Sequence, residues 1–177
     1  VAFGGLAVSV WTEPRTTRDV DVAVAVADDA AAEQLVFSLQ QRSYVVDVVI
    51  EHKRLHRLAT VRLRPPEADE QGALVDLLFA SSGVEPDVVG AAERVEVVLG
   101  LVVPVASVGS LIAMKLLSRD DVSRPQDAAD LKALLGRASH TDIEQARALA
   151  GRIRALGTDR GRDLPALLVV RQAACDG

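Results

Sequence analysis

The chain has 177 residues, of which 49% are apolar, and a formal net charge of −5, so it is long and apolar enough for one domain. Aromatic residues make up only 3% of it, which argues against extended stacking on single-stranded bases, and the negative charge argues against a generally basic nucleic-acid surface. A single cysteine, Cys175, excludes an internal disulfide, and no apolar run approaches the roughly 18 residues of a membrane span. We therefore expect a cytoplasmic protein.

A short helix and a strand are the first predicted elements. Residues 5–11 indicate the helix, and residues 14–18 indicate a turn after it. In residues 19–26 valine occupies every second position, a period of two that is typical of a strand with one β-branched face in the core. Asp28-Asp29 end this strand, and a second helix with an acidic N-cap is expected over residues 30–41.

The middle of the chain is rich in strand signals. Residues 44–50 contain many valines and fit either a strand or the start of a helix through residue 54, because periodicity alone does not decide. Residues 58–64 alternate apolar and basic side chains, as in a half-exposed strand. Residues 73–80 form an apolar run with one charge, Asp76, and predict a second strong strand.

Two strands and several helices are predicted for the remainder. The expected elements are a helix over 86–93, strands over 94–98 and 101–105, and helices over 107–117 (capped by Ser107), 125–135 (ended by Gly136), from Thr141 or Asp142 to 156, and from Asp163 or Pro165 onward. This order predicts an α/β (α+β) fold with a small mixed β-sheet flanked by helices. We expect residues 1–105 to form that core and residues 106–177 to form a helical segment that completes the active site.

Three carboxylates are the strongest candidates for metal ligands. Asp19 and Asp21 are two positions apart on a strand and therefore point to the same face. Like charges so close repel each other unless a cation lies between them, and Mg²⁺ prefers one or two carboxylates plus substrate phosphates. Asp76 would be the third acid, since burying a lone carboxylate costs several kcal/mol unless it is paired or metal-bound. The alternative is an edge-strand position that faces solvent.

A glycine pair precedes these acids. Gly4 and Gly5 stand where the first helix begins, so phosphates could approach the backbone and the positive end of the helix. With Arg15, Thr17 and the three acids, this pattern describes a nucleoside triphosphate (NTP) site with two Mg²⁺ ions held by Asp19, Asp21 and Asp76. Two metals would neutralise the triphosphate and lower the pKa of an attacking hydroxyl, and Asp76 could assist its deprotonation.

These motifs resemble a known family. Gly4-Gly5 followed by Arg15-x-Thr17-x-Asp19-x-Asp21 is similar to the polymerase-β-type nucleotidyltransferase superfamily, and more closely to the AbiEii/AbiGii toxin family of minimal nucleotidyltransferases. Residues 104–117, which include Lys115, and then Arg124-x-x-Asp127-x-x-Asp130 resemble the helical half of that family. The similarity runs from residue 4 to about residue 135.

The resemblance implies a role for each matching residue. Gly4 and Gly5 would contact the β- and γ-phosphates, with Arg15 and Thr17 near them. Lys115 would reach the nucleotide phosphates, Asp127 would orient Lys115 or the substrate, and Asp130 would stand behind it. The residues alone leave alternatives open: Lys115 could be a snorkelling lysine, and Asp127 and Asp130 could be ordinary acids in the first turn of a helix.

Several further side chains have an ordinary interpretation. His52 and His56 have a spacing that could bind metal on a helix, but no third ligand is nearby, so we expect neither to be a ligand. Trp11 is expected in the core. Five C-terminal arginines are expected on a solvated helix face; they are Arg147, Arg152, Arg154, Arg160 and Arg162.

The leading hypothesis is an Mg²⁺-dependent nucleotidyltransferase that moves a nucleoside monophosphate (NMP) from an NTP to an acceptor hydroxyl. The resemblance implies a toxin-like role, with tRNA or a protein as acceptor and a cognate antitoxin as a partner. One alternative is an antibiotic-type enzyme with a small-molecule acceptor, and another is a non-catalytic module that senses a nucleotide. A contiguous arginine patch beside the site would favour RNA as the acceptor, and scattered arginines would favour a small molecule.

Overall fold

The computed structural model describes residues 1–17, 19–53, 55–68, 72–80, 82–118 and 125–173, so Arg124 and Cys175 lie outside the described residues. The strands in this part of the chain are β1 (Ala2–Phe3), β2 (Val20–Ala23), β3 (Val45–His52), β4 (Arg57–Arg64), β5 (Val75–Leu78), β6 (Glu93–Val98) and β7 (Leu101–Val105). The helices are α1 (Gly4–Trp11), α2 (Asp29–Gln40), α3 (Glu85–Gly90), α4 (Val108–Ser118), α5 (Pro125–Arg137), α6 (His140–Leu156) and α7 (Leu164–Ala173).

A mixed sheet forms the centre of the molecule, which confirms the predicted fold class. Its order is β3-β4-β5-β2-β1-β7-β6. Strand β2 is parallel to β5 and antiparallel to β1, and its register places Asp21 between Asp76 on β5 and Phe3 on β1. The central strands therefore bring two of the predicted acids side by side.

The two faces of the sheet carry different side chains because successive residues of a strand point to opposite sides. One face packs against α2 in a cluster that contains Val61, Leu63, Leu77 and Ala32. The alternate positions of the same strands, including Asp21 and Asp76, consequently point to the other face. That face is the one on which the site is built.

The helical segment packs onto the same core as the sheet. Helix α4 is buried along nearly its whole length, and one apolar cluster joins Val8 of α1, Leu111 of α4, Leu131 of α5 and Ile153 of α6. A Cβ on Gly109 would lie 2.5 Å from the Asp142 carbonyl oxygen, so this glycine allows α4 and α6 to approach closely. Strands give way to helices at residue 105, although the apolar cluster continues across that point.

Three local predictions are settled by the structure. Residues 45–52 form a strand because they pair with β4 along their length. The prediction that Gly136 ends its helix is wrong, since α5 continues to Arg137; a glycine in a helix costs only about 1 kcal/mol. Ser139, rather than Thr141 or Asp142, caps α6, with Asp142 completing a capping box.

In the part of the chain that the structure describes, no helix has both the length and the apolar character needed to cross a membrane.

Candidate active site

Gly4 and Asp21 lie against each other at the start of α1. A Cβ built on Gly4 would stand 1.7 Å from Oδ2 of Asp21, and the φ angle of Gly4 is +57°. Only glycine adopts this backbone conformation freely. The Asp21 carboxylate therefore faces the first residue of the helix, where the backbone N–H groups have no partner inside the helix.

A line of charged side chains crosses three strands beside this contact. Arg62 on β4 pairs in register with Asp76 on β5, and Asp76 pairs in register with Asp21 on β2. We call Arg62, Asp76 and Asp21 the charged row. Arg62 donates two hydrogen bonds to Asp76, Nε to Oδ1 at 2.7 Å and Nη2 to Oδ2 at 2.7 Å. These bonds, with Asp19 and Asp21 nearby, raise the pKa of the Arg62 guanidinium.

The charged row bears on the predicted metal site. Carboxylate oxygens are the donors that Mg²⁺ prefers, and the guanidinium of Arg62 shows that these acids accommodate a cation. Among the described residues, however, no group of three or more His, Cys, Asp or Glu side chains could together hold a metal ion. The carboxylates of the charged row are therefore of the chemical type that binds Mg²⁺. In this structure Arg62 supplies the positive charge that balances Asp76.

A second charged network holds Lys115. Its Nζ lies 2.6 Å from Oδ1 of Asp127 and 2.8 Å from Oδ2 of Asp130. Arg15 reaches Asp130 from the other side, with Nε 3.0 Å from Oδ1 and Nη2 2.8 Å from Oδ2. The hydroxyl of Ser118 donates to Oδ2 of Asp127 at 3.2 Å. Lys115, Asp127, Asp130 and Arg15 form what we call the Lys115 network.

Asp130 is the centre of this network and is 2% exposed. Burial pushes the pKa of its carboxyl upward, but the hydrogen bonds from Lys115 and Arg15 outweigh burial and hold the pKa below its ordinary value. Asp130 is therefore ionised at neutral pH and balances two cations. The snorkelling alternative does not describe Lys115, whose side chain is only 11% exposed and bound by two carboxylates.

A pocket of about 170 Å³ lies between the sheet and α4. Gly4, Asp21 and Lys115 line it, together with Thr60, Ser118 and Arg160. The structure thus brings three of the predicted site residues, which are far apart in the chain, to one cavity.

Two other predicted residues, Arg15 and Thr17, lie beside the second glycine, and Arg15 and Asp130 line a separate pocket next to α5. A Cβ on Gly5 would lie 2.9 Å from Nη2 of Arg15 and 3.1 Å from Oγ1 of Thr17, so both side chains stand beside the glycine pair. The Thr17 hydroxyl donates to the Asp19 carbonyl oxygen at 2.9 Å, which fixes the turn that leads into β2.

Arg62 is given no site role from the sequence, and the expectation that Arg160 lies on a solvated helix face is wrong, because it lies in the turn between α6 and α7 and lines the pocket. Arg62 is one of the basic residues that alternate with apolar residues along β4. That alternation indicates which side chains are exposed, but it does not identify the residue with which Arg62 pairs. Arg160 follows α6 with a φ of +56°, uncommon for a residue with a side chain. Nearby, Nη1 of Arg162 donates to the carbonyls of Leu116 and Leu117 at 3.4 and 3.1 Å, which secures the turn to the end of α4.

The C-terminal arginines are divided among different parts of the surface. Arg152 pairs with Asp87 of α3, and Arg154 pairs with Asp163 before α7. Arg162 binds the end of α4, and Arg160 lines the pocket. Their distribution is scattered, in contrast to a single patch beside the site.

The remaining candidates have structural roles. His52 ends β3, where its Nδ1 accepts from the N–H of Leu55 at 3.2 Å, and His56 follows in a turn, so the helix required for the metal-binding alternative is not formed. Trp11 packs against the main apolar cluster and donates from Nε1 to the Ala106 carbonyl at 2.8 Å, as expected for a core residue.

Gly4→Ala is expected to impair both folding and activity. The new methyl group would overlap the Asp21 carboxylate and force a side chain into the left-handed region, which costs on the order of 1–3 kcal/mol. Urea unfolding and an NMP-transfer assay would measure the two losses. Gly136→Ala is the matched control, because a Cβ at that position would have nothing within 4 Å of it and helix propensity favours alanine. Equal behaviour of the two variants would contradict this account of Gly4.

The sheet, the glycine pair facing an aspartate and the enclosed lysine define the class as a nucleotidyltransferase fold. Residues 3–174 match the model of the protein family described as "Nucleotidyl transferase AbiEii toxin, Type IV TA system". The chain therefore belongs to the AbiEii nucleotidyltransferase toxin family and is a nucleotidyltransferase, as the motifs predicted.

The structural comparison agrees at the level of the fold. The chain is similar to the crystal structure of an antigenic nucleotidyltransferase-like protein from Paracoccidioides brasiliensis, with a TM-score of 0.50 and 17% identity. The match covers 95% of this chain and 83% of the other. No curated protein matches the sequence significantly.

Proposed function

We propose that this nucleotidyltransferase moves an NMP from an NTP to an acceptor hydroxyl in an Mg²⁺-dependent reaction. The observation that carries the proposal is the pocket in which Gly4, Asp21 and Lys115 meet. A glycine at a helix start, a carboxylate and an enclosed ammonium group are suited to a metal-bound triphosphate.

The chain's own residues would bind and orient the triphosphate. Gly4 and Gly5 would contact the β- and γ-phosphates through their backbone, and Lys115 would contact a phosphate oxygen through Nζ. Asp127 and Asp130 fix the position of Lys115, so the ammonium group would be preorganised. Arg15 and Thr17 would support the glycine pair from the side opposite Asp21.

Asp19, Asp21 and Asp76 are proposed to hold the metal once Arg62 has withdrawn from Asp76; with Arg62 bound there, the described acids do not stand together as a metal-binding group. When bound, Mg²⁺ would neutralise phosphate charge and lower the pKa of the attacking hydroxyl. In the transfer, the acceptor oxygen forms a bond to the α-phosphorus, the bond from that phosphorus to the bridging oxygen breaks, and pyrophosphate leaves. Asp76 is the proposed acceptor of the hydroxyl proton.

Membership of the toxin family supports the proposal of a toxin-like role with a cognate antitoxin, and we propose tRNA or a protein as the acceptor. The arginine positions favour a second candidate, a small-molecule acceptor, because Arg152 and Arg154 pair with acids outside the pocket. An extended RNA backbone would require cations arranged along its path.

The test supplies each of the four NTPs, labelled at the α-phosphorus, with Mg²⁺ and one acceptor class at a time: total tRNA, lysate protein, or small hydroxyl compounds. Label on tRNA or protein supports the first candidate, and label on a small compound supports the second. Failure with every NTP and every acceptor would contradict the proposed function.

Arg160 is expected to contribute to NTP binding because it lines the pocket beside Lys115. A hydrogen bond to a charged group contributes about 1.5–3 kcal/mol, so Arg160→Ala should raise KM for the NTP by roughly ten- to a hundredfold with little change in kcat. Arg154→Ala, which removes an exposed arginine paired with Asp163, is the control and should leave KM unchanged. An unchanged KM in Arg160→Ala would refute this role.

A further inference from the structure

The charged row places an arginine where the proposed metal site has its third acid. Asp76 is 9% exposed, and both of its carboxylate oxygens accept from the guanidinium of Arg62. A metal bound to Asp76 needs one of those oxygens as a ligand. The bidentate guanidinium takes up one acceptor site on each oxygen, so Arg62 and a metal compete for this carboxylate.

The position of Arg62 beside Asp76 is set by the backbone as well as by the conformation of the arginine side chain. Arg62 and Asp76 are direct partners in the antiparallel pair of β4 and β5. Side chains of such partners have Cβ atoms about 4.5–5.5 Å apart on the same face. Arg62 can withdraw its guanidinium from Asp76, but the register of β4 and β5 keeps the Cβ of Arg62 beside that of the acid.

The charges of the two cations strengthen this competition. With Arg62 on Asp76, the buried carboxylate is balanced and its oxygens are engaged. A divalent cation at Asp76 would add positive charge beside a guanidinium that no longer has its partner, and like charges at this separation repel. When Arg62 is absent, Asp76 lacks a partner, and a cation becomes the remaining way to balance it.

We propose that Arg62 competes with a divalent cation for the carboxylate of Asp76 and so weakens metal binding at this acid. The inference rests on the proposed function, because it takes Asp76 to be a metal ligand. Arg62 is a positioning residue here: it acts on the metal through Asp76.

The experiment is a Mn²⁺ titration of the whole chain by electron paramagnetic resonance, with Mn²⁺ alone as the probe. Arg62→Gln should bind Mn²⁺ at Asp76 about tenfold more tightly than the wild type, which corresponds to the loss of one charge-assisted hydrogen bond. Arg64→Gln is the matched control, because Arg64 lies on the same strand and pairs with Asp47 at 2.9 Å; it should titrate like the wild type. Adding Asp76→Asn to Arg62→Gln should remove the gain.

A second readout covers the case in which the variant is less stable. In EDTA the melting temperature of Arg62→Gln should fall below that of the wild type, and Mn²⁺ should raise it by a larger increment than in the wild type, since a ligand that binds the folded state stabilises it. Equal Mn²⁺ affinity in both proteins, or no Mn²⁺ binding to Arg62→Gln, would overturn the inference. Tighter Mn²⁺ binding without NMP transfer under any condition would overturn the proposed function and leave the competition standing.

Discussion

Asp21→Asn is expected to lower the rate of NMP transfer by about 1,000-fold or more, because a metal ion supplies several kcal/mol of transition-state stabilisation and each 1.36 kcal/mol changes a rate tenfold. The free energy of unfolding should change by no more than about 1 kcal/mol. The amide keeps the shape of the carboxylate, and its neutrality relieves repulsion from Asp76, the register neighbour of Asp21. Single-turnover transfer and urea unfolding measure the two effects.

The control for this prediction is Asp47→Asn. Asp47 lies on the edge strand β3 and pairs with Arg64, outside the pocket, so its amide variant should transfer NMP at the wild-type rate. A fully active Asp21→Asn would remove Asp21 from the metal site. An Asp21→Asn protein that fails to fold would show that the carboxylate is needed for stability instead.

Asp130→Ala is expected to reduce the free energy of unfolding by about 3 kcal/mol, since removing one partner of a buried ion pair leaves charge uncompensated. Asp130 is 2% exposed and balances Lys115 and Arg15, so its loss leaves two cations with fewer partners. Asp87→Ala, which breaks the surface pair with Arg152, should cost no more than about 1 kcal/mol. Chemical denaturation at neutral pH compares the two variants.

The pH dependence follows from the lowered pKa of Asp130. A carboxyl whose folded-state pKa lies below its ordinary value of 3.8 stabilises the fold above that value, and the stabilisation is lost as the pH falls from there toward the folded-state pKa. The stability difference between the wild type and Asp130→Ala should therefore be constant near neutral pH and shrink in acid below the ordinary value. A difference that grows in acid would contradict the assigned charge state.

Much of the site could be predicted because its signals are local. The alternation in residues 19–26 and the single charge within residues 73–80 place Asp21 and Asp76 on strands, and the structure pairs them in register. Lys115, the one charge between Ser107 and Ser118, required an anion, and the structure supplies Asp127 and Asp130.

The unpredicted part depends on tertiary contacts. The alternation of residues 58–64 indicates which side chains share a face, but it does not show that Arg62 stands opposite Asp76, because strand register is set by pairing with a distant segment. Arg160 reaches the pocket because the turn after α6 is attached to the end of α4. At Gly136 a local signal receives too much weight: the glycine is expected to end α5, but the helix continues to Arg137 because the packing of α5 outweighs the low helix propensity of a glycine.

The most direct test of nucleotidyl transfer uses one NTP labelled either at the α-phosphorus or at the γ-phosphorus, with Mg²⁺ and the acceptor that takes label. This account predicts that the α-label becomes covalently attached to the acceptor and that the γ-label leaves as pyrophosphate, with both events lost in Asp21→Asn. Transfer of the γ-label to the acceptor, with release of the nucleoside diphosphate, would contradict it.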